Sequence, residues 1–318
     1  MRYRVLAVSA LAMAGAAACS SDTTTAPAGT AGQQQAVLQE LTAFPGWTED
    51  NAGADGAVAT AAADASMSVG PLSADVASIQ PLSWGRRRCA NSCTQDKSVE
   101  FRNDSAFVTV VWTFDGRFLT DTTPDFIHNP GSKPLRETMT RHAVLVRKTD
   151  HDADQDPDRS GRHHDWRVAA LSVSNYQAVD PANRTVKIDS LEVGIGNHPP
   201  AIITNPDSLY GVMGNHVPDM EPDDTITVTA FVTNTTGTDL TPPTRVFLHV
   251  RNSSAVSDGW RRILMTDNGD GSWTSRWRVR RAGFGRFLVD ALDSETLQTE
   301  HGDDYRANLW AVPYRALQ

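Results

Sequence analysis

The chain has 318 residues, with 29 Lys and Arg against 38 Asp and Glu and a formal net charge of −9. That balance argues against a broadly basic face for nucleic acid. Setting aside the first 18 residues leaves about 300, enough for two ordinary domains and a linker.

Met1-Arg2-Tyr3-Arg4 is a positive start, followed by an apolar run over 5–18 that only Ser9 and Gly15 interrupt. This is signal-peptide architecture. The run is shorter than the ~20 apolar residues a transmembrane helix needs, and no later segment approaches that length, so the mature chain is not expected to span a membrane. It ends in Gly15-Ala16-Ala17-Ala18-Cys19-Ser20-Ser21-Asp22, which resembles the bacterial lipobox, where small residues precede a lipid-carrying cysteine. The resemblance implies a mature protein beginning at Cys19 and held by lipid to a membrane, in the periplasm or at the cell surface. Ala16 stands where that motif has a larger aliphatic residue, and Ala16-x-Ala18 also fits ordinary cleavage, which would release a secreted soluble protein.

Residues 19–83 are rich in Ala, Gly, Ser, Thr and Gln, and over 20–83 the charges are all acidic: Asp22, Glu40, Glu49, Asp50, Asp55, Asp64 and Asp75. Such a segment has little apolar area to set against its ordering entropy and reads as an extended or disordered tether. Val37, Leu41 and their neighbours predict a short helix over 34–44 that ends before Pro45-Gly46. A basic triplet, Arg86-Arg87-Arg88, opens the folded part; it reads as a solvated counterweight to the acidic tether, with phosphate or lipid headgroups as the alternative partner. Cys89 and Cys93 form an even pair once Cys19 is assigned to lipid, and in an oxidising compartment they can close a small disulfide loop. Zinc is the alternative, but a second ligand pair at metal-site spacing is lacking.

From Lys97 the pattern is β. Residues 107–114 (FVTVVWTF) alternate with Val108, Val110, Trp112 and Phe114 on one face, and 142–148 and 166–173 repeat the period. Over 185–193 (TVKIDSLEV) the phase shifts between Ile188 and Leu191, as at a bulge or strand end. Residues 84–196 therefore read as an antiparallel β domain, a sandwich or partly open barrel. The cluster Gly194-Ile195-Gly196-Asn197-His198-Pro199-Pro200 marks a boundary. Beyond it, short strands recur at 225–232, 245–251, 260–265, 272–279, 286–292 and 308–317. Asn268-Gly269-Asp270-Gly271 supplies the positive φ values of a tight hairpin turn. With the opening Asn197-His198-Pro199-Pro200 and the run Gly285-Arg286-Phe287-Leu288-Val289-Asp290-Ala291-Leu292-Asp293, residues 197–318 resemble bacterial immunoglobulin-like or fibronectin type III-like domains, which implies a β-sandwich. The fold class is thus mainly β, two antiparallel β domains after a tether.

Over 150–165 the alternating carboxylates Asp154, Asp156 and Asp158, with Asp165 at the twelfth position of an EF-hand-like frame, suit Ca²⁺. Arg159 stands where that frame wants Gly, and a solvated hairpin loop or a site built from His151, His163 and His164 are the competing readings. Trp273 and Trp277 share a strand face that is either core or a platform for sugar rings. Gly-x-Ser-x-Gly, His-Glu-x-x-His and phosphate-loop motifs are missing, so no catalytic residue is assigned. The expectation is an exported, lipid-anchored envelope protein acting as a non-enzymatic binding or scaffolding module for a protein or polysaccharide. A carbohydrate-binding accessory protein, or a hydrolase with its site in 84–196, is the alternative.

Overall fold

The computed structural model describes residues 29–44, 47, 59–60, 83–122, 129–148, 165–196, 198–212, 218–251, 260–279, 282–299, 302 and 305–317. Among the described residues one helix precedes the sheets, α1 (Ala31–Ala43). The strands are β1 (Ala59–Thr60), β2 (Ser83–Arg102), β3 (Ser105–Asp121), β4 (Gly131–Arg147), β5 (Trp166–Ser172), β6 (Ser174–Ala178), β7 (Val186–Ile195), β8 (Ala201–Ile203), β9 (Leu209–Gly211), β10 (Asp219–Met220), β11 (Thr225–Asn234), β12 (Thr244–Arg251), β13 (Trp260–Leu264), β14 (Thr266–Asp267), β15 (Ser272–Arg278), β16 (Gly283–Asp293) and β17 (Ala307–Ala316). A short helix, α2 (Ser294–Gln298), lies between the last two.

The fold is mainly β, as the alternation predicts, in two antiparallel sheets. The larger runs β1-β2-β3-β4-β6-β17-β16-β12-β13, with β5, β9 and β10 attached at its sides, and curls into a half-barrel; the smaller runs β14-β15-β11-β7-β8. Strand pairing crosses residue 197 in both sheets: β6 lies against β17, and β7 against β11. Asn308 ties the two sheets together, accepting from the Ile188 backbone N–H at 2.9 Å and donating to the Tyr176 carbonyl at 2.8 Å.

The joint has a physical basis in β12, β16 and β17, which are buried on both faces. Val246, Leu248, Phe287, Val289, Trp310 and Val312 pack toward the five-stranded sheet. Phe247, Leu288, Leu292, Leu309 and Ala311 pack into the half-barrel. One layer of strands therefore serves two cores, which is why these segments read as nearly continuous apolar runs instead of alternating ones.

Two irregularities set which side chains face inward. On β7 the register shifts opposite Phe231 and Val232, leaving Asp189 as the extra residue; the buried set passes from Val186 and Ile188 to Leu191 and Val193. This is the bulge that the phase shift predicts. On β2, Arg87 pairs with Arg117 and Ser92 with Asp115, so four residues of β2 face the single Gly116 of β3. The excess is odd, and an odd insertion moves side chains to the opposite face. Trp84, Arg86 and Arg88 point inward before it, and Phe101 after it. Gly116 is required there, because a Cβ would lie 2.1 Å from the Arg87 carbonyl oxygen.

The helix of the tether forms, starting three residues earlier than expected. Thr30 and Gln33 make a reciprocal capping box, a Thr-x-x-Gln signal legible in the sequence. Val37, Leu41 and Trp47 are buried against the outer part of β3, β4 and β5, and the Phe44 and Phe284 rings are 4.9 Å apart. Arg141 lies 3.8 Å from the centre of the Trp47 ring and donates to the Trp47 carbonyl. Isolated helices of this length are marginal in water. Full burial of each large apolar side chain contributes about 1.5–3 kcal/mol, which is what makes this one stable. Among the described residues no helix is long and apolar enough to cross a membrane.

Candidate functional site

The interior of the half-barrel holds a buried ionic relay. Arg86 reaches from β2 to Asp290 on β16, forming a bidentate pair at 2.5 and 2.8 Å, and both side chains are fully buried. Its Nε donates to the Tyr305 hydroxyl at 2.6 Å, which donates in turn to Glu137 of β4. Arg88 meets the other oxygen of Glu137 at 2.7 Å. The relay thus runs Asp290, Arg86, Tyr305, Glu137, Arg88 across the hollow of the sheet. Aromatic rings fill the space around it: Arg86 lies 5.4 to 5.9 Å from the rings of Trp84, Phe118 and Tyr305, and Arg88 lies 5.0 Å from Tyr176 and 5.5 Å from Phe114.

Side chains also close the open sides of the curl. Arg262 on β13 stacks 3.8 Å from the Trp84 ring centre and donates to the Trp84 carbonyl at 3.2 Å, bridging β13 to β2 from one end of the strand order toward the other. At one end α2 acts as a plug: Thr120 donates to the Leu297 carbonyl at 2.8 Å, and Lys133 donates to the Thr296 carbonyl at 2.8 Å.

The electrostatics follow from burial and pairing. Burial disfavours the charge of Asp290, but the Arg86 guanidinium and the bonds from His249 and Arg86 outweigh it and hold this carboxyl far below the usual range. Burial also pushes the neighbouring His249 down; Asp290 partly offsets this and Arg262 and Arg86 add to it, so the imidazole is neutral. For Tyr305 burial dominates and drives the phenol well above its ordinary value, keeping it a hydrogen-bond donor to Glu137. A catalytic acid or base works best with a pKa near the operating pH. Asp290, His249 and Tyr305 are all displaced away from neutrality, in the directions that lock the relay.

This cluster corrects the reading of the basic triplet. Arg86 and Arg88 are 3 % and 7 % exposed, and only Arg87, between them on the opposite strand face, meets solvent. The triplet behaves as a strand, with alternate guanidiniums turned into the barrel. Cys89 and Cys93 are joined by a disulfide that staples the four-residue bulge 88–91, which Arg88 opens. Trp273 and Trp277 lie in the core between the sheets, 5 % and 8 % exposed, so this pair is not a sugar platform. Cys19, Asp154, Asp156 and Asp158 lie outside the described residues, as do His151, His163 and His164. Asp165 is exposed, and its carbonyl accepts from the Lys148 N–H at 2.8 Å. Among the described residues no group of three or more His, Cys, Asp and Glu could hold a metal ion.

A second polar constellation lies on the outer surface. His142 Nδ1 is 3.0 Å from Thr109 Oγ1 and its Nε2 is 3.5 Å from Asp207. Asp207 is 60 % exposed on its side chain, and the group fastens the turn between β8 and β9 to β4.

Fold and interior together define a mainly β protein whose curled sheet is filled by a salt-bridged aromatic core. No protein-family model matches the chain, and no curated protein or solved structure matches it either.

Proposed function

We propose that this is an exported bacterial envelope protein, anchored through lipid on Cys19, whose half-barrel and immunoglobulin-like sandwich act together as a non-enzymatic binding or scaffolding module. The observation that carries the reading is the relay itself. The charged groups that could have formed a reactive centre are bonded to one another and enclosed by rings, so they hold the fold together. Binding then falls to the outer faces. The exposed face of the five-stranded sheet carries Thr266, Thr274, Thr229, Glu192 and Ile202 in one row across all five strands. Hydroxyls, a carboxylate and an apolar end in one row suit a protein or polysaccharide ligand.

Mass spectrometry of the mature N-terminus tests the anchor: an acylated Cys19 is expected, and an unmodified Cys19 overturns it. Sedimentation with purified envelope polysaccharide, wild type against Thr274→Lys and Ile202→Lys, tests the face. Weaker co-sedimentation of the variants is expected for a polysaccharide ligand, whereas binding that survives both substitutions excludes this row.

A further inference from the structure

We infer that docking of α1 shortens the membrane leash to the residues between Cys19 and Thr30, so that the α1-bearing side of the protein faces the membrane at close range. The inference rests on the proposal that Cys19 carries the anchor. Read by composition, the whole of 19–83 lies between membrane and fold, 64 peptide steps from Cys19 to Ser83. Among the described residues the chain is held much earlier than Ser83. Thr30 caps a helix whose Val37 and Leu41 are 0 % and 1 % exposed, and Trp47, just past its end, is 4 % exposed under the Arg141 guanidinium.

Eleven peptide steps separate Cys19 from Thr30. At most ~3.6 Å per residue, they span no more than about 40 Å however they are arranged. As a random coil they would average about 18 Å end to end. Without the docked helix, the next held point among the described residues is Ala59, paired with Trp84. Forty steps then reach up to about 140 Å and average about 35 Å. The docked helix therefore fixes both height and facing. The α1 side stays toward the lipid, and surfaces away from α1 stay open to partners.

The test couples protein beginning at Cys19, with the Cys89–Cys93 bond intact, to maleimide lipid in a supported phosphatidylethanolamine and phosphatidylglycerol bilayer. Neutron reflectometry then reads the gap between headgroups and protein. The anchor is made chemically, so the result is independent of whether Cys19 is acylated in cells, which the mass spectrum decides separately. A ten-residue Gly-Ser insertion between Pro27 and Ala28 leaves every described residue untouched. A leash of 11 steps made 21 widens the mean gap about 1.4-fold, whereas a leash of 40 made 50 widens it only about 1.1-fold. A change of about 1.4-fold is expected, and a change below about 1.2-fold overturns the inference. Trp47→Ala with Leu41→Ser provides the second arm. Release of α1, seen as proteolysis within 31–43, should widen the gap about twofold in the wild-type leash, and a gap unchanged after that cleavage-prone release also overturns it.

Discussion

Replacing Arg86 by Met removes the centre of the relay and leaves Asp290 buried without its guanidinium. The pair is bidentate at 2.5 and 2.8 Å with both side chains fully buried. Unit charges about 4 Å apart at an effective dielectric of ~20 attract by about 4 kcal/mol, in line with the 3–5 kcal/mol cost of breaking a buried pair from one side. A loss of about 3–5 kcal/mol at pH 7 is therefore expected from urea denaturation followed by tryptophan fluorescence. Two further readings separate the ionic explanation from lost packing. With Arg86 gone, burial acts on Asp290 with less opposition and its carboxyl pKa rises above that of the unfolded chain. A raised folded value contributes stability below the unfolded pKa and loses it as pH rises, so the deficit of the variant should shrink toward pH 4. The double variant Arg86→Met with Asp290→Leu should recover most of the loss, because well-packed apolar replacements of a buried pair are often neutral or better. A single variant losing under 1 kcal/mol, or a double variant as unstable as the sum of both singles, would refute the account.

His249 is held neutral by burial, so below pH 6.5 the unfolded chain binds a proton that the folded chain refuses; stability should fall with acid by up to ~1.4 kcal/mol per pH unit, and His249→Met should flatten that limb in urea titrations at pH 5 and 6.5. Gly116→Ala places a Cβ 2.1 Å from the Arg87 carbonyl and should cost at least the ~1–3 kcal/mol typical of overpacking, read as a lowered Tm. Replacing both Cys89 and Cys93 by Ala should cost about 2 kcal/mol from the small loop they close, visible as a lower urea midpoint at unchanged slope. Trp277→Ala, in the core between the sheets, should cost about 3–5 kcal/mol, whereas a surface platform residue would leave the melting temperature near wild type.

Local periodicity carried most of the strands, the Asn268-Gly269-Asp270-Gly271 hairpin with its positive φ at both glycines, and the Asp189 bulge. These are written in neighbouring residues. The relay was not legible because its partners are distant: Arg86 is 204 residues from Asp290, and Arg88 is 49 from Glu137. Charge also hid the period, since Arg86 and Arg88 continue the inward phase of Trp84 but read as solvated. A usable signal existed in Asp290, a lone acid inside the apolar run 287–292 (FLVDAL), and such an acid needs a cationic partner in the core. The same run, with NLWAV over 308–312, announces strands buried on both faces, and so a layer shared between two cores.

That shared layer orders events in time. β17 sits in the middle of the large sheet, between β6 and β16, yet it is the last strand along the chain. A chain made N-terminus first would display the edges of β6 and β16, and cores lacking the side chains of β17, until residues 307–316 emerged. Such non-local closure is slow and leaves unpaired strand edges open to aggregation. A central strand placed this late holds both cores incomplete until residues 307–316 are available, because β17 lends side chains to each.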